Sequence, residues 1–181
     1  MSEHEQAELD DVPDELTSES LHVQMQDFLG FQVGREIYAL PIVAVHELTR
    51  VPTITEVPRG PKEVLGVISV RGHVTTLFDM SRMLGMPETT PTDASRVLLV
   101  RRDEETLGLL VDRVLRVYRL AAEEIESEPG LTQELASYVV GIARPRESRA
   151  VRERRSATRS SGEVLILLDL DQVLEFRGRS Q

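Results

Sequence analysis

Apolar and polar side chains alternate from Ile68 to Phe78, and this alternation is the clearest strand pattern in the chain. A period of two is typical of an extended chain with one buried face and one face in water. The pattern places Arg71 on the polar face, in the middle of the predicted strand. Gly72 follows it and can supply a bend, a bulge or a tight turn where a side chain would obstruct. The predicted buried face consists of Ile68, Val70, Val74 and Phe78, and the polar face of Ser69, Arg71, His73 and Thr75.

A strand, an aspartate and a short helix follow one another twice along the chain. In the first unit, Asp79 is placed as a helix N-cap and Gly85 as a helix stop, which predicts a helix over Met80–Leu84. In the second unit, a predicted strand over Val164–Leu168 leads into Asp169. The repetition indicates two similar halves, each closed by a strand and a small helix. The second helix is predicted over Asp171–Phe176.

The remaining pattern predicts short strands joined by turns, with few helices. Many short strands at close spacing favour small β-barrels over alternating strand–helix units. Since a barrel of about 60 residues buries little apolar surface by itself, we expect two barrels that share an apolar seam. The predicted fold class is therefore mostly β. Strands are predicted over Phe28–Val33, Glu36–Leu40, Val51–Val57, Ser95–Arg102, Thr106–Tyr118 and Ser137–Ala143, a short helix over Pro41–Leu48 and a helical turn over Ala121–Ile125.

The acidic character of the chain is concentrated at its N-terminal end. The net charge is −10, but residues 1–27 contain nine of the 31 acids and no Lys or Arg, which leaves 22 acids against 21 bases elsewhere. A strongly acidic segment with few apolar residues does not bury enough surface to offset the entropy lost on ordering. We therefore predict a disordered acidic tail over 1–27, one domain over 28–177 and a short tail over 178–181.

The composition excludes several classes of protein. Cysteine is absent from the 181 residues, which rules out disulfides, thiolate catalysis and cysteine metal sites. No apolar run approaches the roughly 18 residues of a membrane span, and the acidic start is unlike a signal peptide, so we expect a soluble cytoplasmic protein. The sequence also lacks a Gly-x-Ser-x-Gly elbow, a phosphate-binding loop and histidines at zinc-helix spacing. It therefore predicts no enzyme activity, no metal and no cofactor.

Seven arginines and only two glutamates lie between Arg144 and Arg159. Such a run can bind phosphate backbones or anionic lipid headgroups, and it can equally contact the acidic tail of the same chain. Aromatic residues are not interleaved with the arginines, so the run provides no stacking platform for single-stranded nucleic acid. We predict a flexible Arg-rich insertion over about 144–162. The alternative function is a small-barrel nucleic-acid-binding protein that uses this loop.

The order of these motifs resembles the CheW family of chemotaxis coupling proteins. The most specific element is Gly-Val-Ile-x-x-Arg-Gly at 66–72, followed by a strand, an aspartate and a short helix. Gly-x-x-Val-Asp-x-Val at 108–114 and Leu-Ile-Leu-Leu-Asp at 165–169 support the resemblance. It extends over nearly all of the sequence from Phe28 to Phe176.

The resemblance implies a fold, a role and partners. The fold is two intertwined, five-stranded SH3-like barrels around a shared apolar core, in agreement with the two similar halves. The role is that of a non-catalytic adaptor that links the regulatory domain of a CheA-type histidine kinase to the cytoplasmic tip of chemoreceptors. Such adaptors work in clustered arrays, so we expect recruitment to the inner face of the membrane. The long Arg-rich insertion could serve a partner that is specific to one pathway.

Receptor-binding residues are implied by matching single positions to the family motifs. Arg71 matches the motif arginine and could orient a carboxylate or a carbonyl of the receptor; an internal clamp between two loops is its alternative role. Val45 and Val114 match receptor-facing positions, with packing in the core as the alternative. Glycines at such a surface let a helix approach the backbone. The full receptor-binding set is Val45, Gly66, Arg71, Gly72, Gly108 and Val114.

Kinase-binding residues are implied in the same way. Glu47 matches an acidic family position that bears on kinase binding. Where the family often has Ile-Arg-Pro, this chain has Ile125-Glu126-Ser127, which reverses a charge at the contact that joins kinase domains into rings. Glu126 and Leu131 are the positions that match this second kinase contact.

Overall fold

The computed structural model describes residues 25–127, 137–145 and 163–175, and these residues confirm a mostly β protein. Within these ranges no helix is long and apolar enough to cross a membrane. The strands are β1 (Met25–Val33), β2 (Glu36–Pro41), β3 (Val45–Arg50), β4 (Val64–Val70), β5 (His73–Asp79), β6 (Arg96–Arg102), β7 (Glu105–Val111), β8 (Arg113–Ala121), β9 (Ile125–Glu126), β10 (Val139–Ala143) and β11 (Leu165–Leu168). The α-helices within the described ranges are α1 (Met80–Met83) and α2 (Leu170–Glu175), and 3-10 helices span Ile42–Ala44 and Ala122–Glu124.

In the described part of the chain, the strands form two sheets, and the chain crosses between them twice. The first sheet has the order β8-β1-β2-β11-β10-β9, and the second has the order β3-β6-β7-β5-β4. One crossing follows β2 and the other follows β7, so the N-terminal hairpin lies in the same sheet as the C-terminal strands. The second sheet has the five strands that were expected, whereas the two-residue β9 brings the first sheet to six. The two halves are therefore intertwined.

The two sheets contain equivalent closing units, as the repeated pattern predicted. β5 leads through Asp79 into α1, and β11 leads through Asp169 into α2. In each unit the aspartate Oδ1 accepts a hydrogen bond from a backbone N–H of the helix, that of Ser81 at 2.9 Å and that of Gln172 at 3.1 Å. In each sheet the strand before the helix pairs in parallel with its neighbour, β5 with β7 and β11 with β2.

Three apolar clusters of described residues fill the two barrels and the seam between them. The first cluster lies inside the first sheet and includes Phe28 and Leu167. The second lies inside the second sheet and includes Ile68 and Leu77. The third is the largest and draws on both sheets and both α-helices, as expected if neither half is stable alone. Members of this seam cluster include Phe31, Met80, Leu98, Leu109 and Leu174.

The stretch Ile68–Phe78 lies in a hairpin. Of the bend, bulge or tight turn expected at Gly72, the chain adopts the tight turn. β4 and β5 are antiparallel, with Val70 directly opposite His73. Because the chain reverses at the turn, the alternation before it does not continue after it. Val74 is 78% exposed and Thr75 is 3% exposed, so the faces predicted for these two residues were wrong.

Two other predicted elements were wrong. The segment predicted as a helix over Pro41–Leu48 is a 3-10 helix followed by β3, because pairing with β6 along its whole length outweighs the local helix signal of the proline. The segment predicted as one strand over Thr106–Tyr118 is two strands, since the chain leaves the second sheet at Asp112 and enters the first.

The predicted strand Val51–Val57 contributes only an isolated bridge between Thr55 and Val67. Prolines at 52 and 58 have no N–H to donate, which limits a longer ladder. Several expectations lie outside the described residues. These are residues 1–24 of the predicted acidic tail, the segment 128–136 with Leu131, the greater part of the Arg-rich insertion (146–162), and the residues after Glu175. The last three residues of the predicted tail, 25–27, instead begin β1, because they pair with β8, so disorder was wrong for them.

Asp79 has a fully buried carboxylate that joins α1 to the linker after it. Its Oδ1 accepts from the Ser81 N–H and its Oδ2 from the Thr89 N–H, both at 2.9 Å. We expect Asp79→Ala to lower the free energy of unfolding by about 3 kcal/mol, because two buried N–H groups lose their acceptor. Chemical denaturation measures this loss. Asp169→Ala, which removes the less buried cap of α2, is the matched control and should cost about 1 kcal/mol.

The carboxyl group of Asp79 should also make the stability of the fold depend on pH. Burial raises the pKa of Asp79 above its ordinary value of 3.8. The folded state therefore favours the protonated form of Asp79. This preference contributes fully to the free energy of unfolding below pH 3.8, and the contribution is lost as the pH rises through the raised pKa. Asp79→Ala should lack this component of the stability profile. A profile of identical shape in wild type and variant would contradict the prediction.

Candidate functional site

Arg71 and Gly72 form the two-residue turn between β4 and β5. Both residues have positive φ, 49° for Arg71 and 85° for Gly72, as a tight hairpin turn requires. A Cβ added to Gly72 would meet no atom within 4 Å, so open space adjoins this residue. The turn therefore presents a guanidinium group beside bare backbone at the tip of a hairpin.

An ion pair joins Arg71 to Glu47. The Arg71 Nη2 donates to the Glu47 Oε1 at 2.8 Å, with the arginine side chain 77% exposed and the glutamate side chain 25% exposed. Glu47 lies on β3, and β3 and β4 are the two edge strands of the second sheet. The pair therefore spans the two edges and helps to close this sheet into a barrel. It also brings a predicted receptor-binding residue into contact with a predicted kinase-binding residue.

Val45 and Val114 lie just after the two crossings between the sheets. Val45 begins β3 after the 3-10 helix Ile42–Ala44, and Val114 is the second residue of β8. Both side chains are half-buried and pack against the seam cluster from its rim. Each valine thus contributes to the core and keeps part of its surface in solvent. The two roles considered for them from the sequence are compatible.

Gly66 and Gly108 are buried inside the second barrel. A Cβ on Gly66 would overlap the Thr55 carbonyl oxygen and lie 2.9 Å from the Thr55 carbonyl carbon. A Cβ on Gly108 would lie 3.0 Å from the Val97 Cγ1 and 3.1 Å from the Leu77 Cδ1. Both glycines shape the barrel from within, and their assignment to receptor binding stays a prediction.

The predicted kinase-binding residues lie in different sheets. Glu47 is on β3 of the second sheet, whereas Glu126 is on β9 of the first. Glu126 pairs with Arg144 at 3.1 Å, and both side chains are more than half exposed. Leu131 lies outside the described residues. The structure therefore brings Glu47 to Arg71 but does not bring Glu126 to either of them.

Asp112 is a residue that the analysis of the sequence did not assign to the site. It stands alone between β7 and β8 and binds the turn between β1 and β2. Its Oδ2 accepts from the Gly34 N–H at 2.6 Å, and its own N–H donates to the Gln32 carbonyl at 3.0 Å. The sequence feature that could have identified Asp112 is its place in the Val-Asp-x-Val motif, two residues before Val114.

The described residues offer no centre for metal chemistry. In the ranges 25–127, 137–145 and 163–175, no three His, Asp or Glu side chains are grouped to hold a metal ion. The buried carboxylate of Asp79 is occupied by two backbone N–H groups, as expected of a helix cap and linker anchor. The exposed ion pair at Arg71, the open backbone at Gly72 and the half-buried valines instead suit contact with another protein.

Comparison with known proteins agrees with this interpretation. The family model of the CheW-like domain matches residues 27–177. The chain is 29% identical to the chemotaxis protein CheW of Helicobacter pylori over 121 residues, covering 67% of this chain and 73% of that protein. It is 30% identical to CheW of Rhizobium meliloti over 118 residues, covering 65% of this chain and 76% of that protein. It is 27% identical to the protein PilI of Pseudomonas aeruginosa over 121 residues, covering 66% of this chain and 68% of that protein.

The fold is similar to that of a solved structure. The scaffolding protein TtCheW from Thermoanaerobacter tengcongensis superposes with a TM-score of 0.69 at 25% sequence identity. The match covers 87% of this chain and 98% of that one.

Proposed function

The chain belongs to the family of CheW-like domains, and we propose that its receptor-docking and kinase-docking regions meet at one ion pair. The protein is a non-catalytic chemotaxis adaptor that couples chemoreceptors to a CheA-type kinase in arrays, as membership of this family implies. The finer proposal is that one region docks the cytoplasmic tip of a receptor and the other docks the regulatory domain of the kinase. The contact between Arg71 and Glu47 supports this finer proposal, because it joins a proposed receptor contact to a proposed kinase contact.

Receptor docking is proposed at the open turn and at the rim of the seam. Arg71 supplies an exposed guanidinium that can bind a carboxylate or a carbonyl of a receptor helix. Val45 and Val114 supply half-buried apolar contacts, and Gly72 leaves room for a close approach of the backbone. Gly66 and Gly108 contribute by shaping the barrel that carries the turn.

Kinase docking is proposed at Glu47 and, separately, at Glu126 with Leu131. Because the Arg71–Glu47 pair is exposed, it is worth about 1 kcal/mol or less, and a partner can compete for either member at low cost. Binding of one partner then changes the electrostatic surroundings of the other. Coupling of this kind requires that the adaptor bind the two receptor states with different affinity.

Location and a further partner are also proposed. Binding to receptor tips would hold the protein in arrays at the inner face of the membrane, in the cytoplasm. The Arg-rich insertion over about 144–162 would serve a partner that is specific to the pathway, since its seven arginines favour an acidic surface. The alternative of a nucleic-acid-binding protein is not supported by the comparisons.

Reconstitution with purified partners tests the proposed function. We expect the full chain to bind a receptor-tip fragment and a kinase regulatory domain at the same time, so that all three co-elute as one complex. A mobility-shift assay on duplex DNA and on RNA is the parallel measurement. Binding to nucleic acid that weakens steeply with salt, together with no binding to either protein, would contradict the adaptor function.

A further inference from the structure

The second crossing between the sheets consists of a single residue, Asp112. The first crossing, by contrast, uses the three-residue 3-10 helix Ile42–Ala44. Because β7 ends at Val111 and β8 begins at Arg113, the direction of β8 relative to the second barrel depends on the backbone at Asp112. Val114, a proposed receptor contact, follows only two residues later.

Asp112 is tied to the β1–β2 turn through both its backbone and its side chain. The backbone N–H donates to the Gln32 carbonyl at 3.0 Å, and the Oδ2 accepts from the Gly34 N–H at 2.6 Å. The Gln32 side chain completes the cluster, with its Nε2 donating to the Gly34 carbonyl at 2.8 Å and its Oε1 accepting from the Arg113 Nη2 at 3.0 Å. A hydrogen bond to a charged acceptor is about twice as strong as one between neutral groups.

We propose that Asp112 is a positioning residue for receptor docking, which acts by holding the β1–β2 turn against the start of β8. This inference rests on the proposed function and deepens it. Val114 lies opposite Phe31 of β1, and Phe31 is fully buried in the seam cluster. The cluster at Asp112 therefore sets where the half-buried Val114 emerges at the rim, relative to Val45 on the other sheet.

The location of the proposed kinase contacts makes this effect selective. Glu47 lies on β3 in the second sheet, and Glu126 pairs with β10 at the far edge of the first sheet. Neither contributes a hydrogen bond to the cluster around Asp112. Loss of the Asp112 carboxylate should therefore change receptor affinity and leave kinase affinity nearly unchanged.

The test compares Asp112→Ala and Asp112→Asn in the full chain, with Kd measured separately for a receptor-tip fragment and a kinase regulatory domain. We expect Asp112→Ala to raise the receptor Kd about tenfold and the kinase Kd by less than about twofold. Asp112→Asn keeps an oxygen that can accept from the Gly34 N–H, so it should recover most of the receptor affinity. Hydrogen exchange at the Gly34 amide should accelerate in Asp112→Ala and not in Asp112→Asn.

A control and a second variant keep the outcomes distinct. Asp27→Ala removes one carboxylate from the same sheet, where it pairs with the exposed Arg119, and should leave both affinities unchanged. Gln32→Ala loosens the same cluster from its other side and should weaken receptor binding selectively, but less.

Three results would overturn the inference. Equal loss of both affinities with a lower melting temperature would show a merely structural role, and an unchanged receptor Kd in Asp112→Ala and Gln32→Ala would show no role. If the wild-type chain does not bind the receptor tip at all, the proposed function fails first and the inference fails with it.

Discussion

Replacing Arg71 by Glu is expected to abolish receptor control of the kinase while the fold survives. The Arg71 side chain is 77% exposed, so its ion pair with Glu47 contributes about 1 kcal/mol or less to stability. At a docking site, however, the reversed charge faces both Glu47 and the acceptor groups of the receptor. We expect receptor-controlled phosphorylation to fall at least about tenfold in a reconstituted mixture. Thermal unfolding should change by only a few degrees.

Two further variants separate docking from barrel closure. Arg101→Glu reverses the charge of an exposed arginine on β6 of the same sheet and should leave receptor control intact. The double variant Arg71→Glu with Glu47→Arg restores an ion pair between the edge strands but moves the guanidinium to β3. We expect it to regain stability without regaining control. Full recovery of control in the double variant would show that closing the barrel is the whole role of the pair.

Replacing Gly66 by Ala is expected to cause the largest loss of stability of any single methyl addition considered in the second barrel. The new Cβ would overlap the Thr55 carbonyl oxygen, and that oxygen accepts the Val67 N–H at 2.8 Å. Gly66 also has a φ of 151°, which side chains rarely adopt. Backbone strain and the displaced bridge together should lower the free energy of unfolding by about 3 kcal/mol or more. A melting temperature lower by roughly 6–12 °C would correspond to that loss.

Gly72→Ala is the matched control for this prediction. Its φ of 85° imposes strain, but no atom lies within 4 Å of the added Cβ. We expect a loss of about 1–2 kcal/mol, which reflects the backbone conformation alone. Equal losses for the two variants would mean that the close approach of Thr55 does not restrict Gly66. If Gly66→Ala loses receptor binding only in proportion to its stability, its role is to shape the barrel rather than to touch the receptor.

Features that depend on a few consecutive residues were predictable. Asp79 as the cap of α1, with Gly85 at positive φ just beyond the helix, depends on side-chain and backbone geometry within one short segment. The helix predicted over Pro41–Leu48 failed because pairing of β3 with β6, some 50 residues away in the sequence, decides that segment. The burial predicted for Val74 was wrong because the tight turn shifts the alternation of buried and exposed faces.

The sequence drew attention to Arg71 and Gly72, but the contacts that these residues make could not be predicted from it. Arg71 stands out in the sequence, since a charged residue lies beside a glycine in the middle of the best strand pattern. The contact of Arg71 with Glu47 joins residues 24 positions apart, and that of Asp112 with Gly34 joins residues 78 positions apart. Neither follows from the spacing, because each depends on which strands are neighbours and where the chain crosses between sheets.

The sequence alone was enough to predict the mostly β class, the two strand–aspartate–helix units and the shared apolar seam, and the order of its motifs identified the family. The fold class, the units and the seam depend on local backbone preferences, on the period of burial and on the amount of apolar surface, all of which can be read along the chain. The three-dimensional arrangement was needed to show that Gly66 lies under Thr55 and that the arginine at the hairpin tip is held by the opposite edge strand. These depend on strand order and barrel closure, which bring distant residues together, and no local pattern encodes such distances.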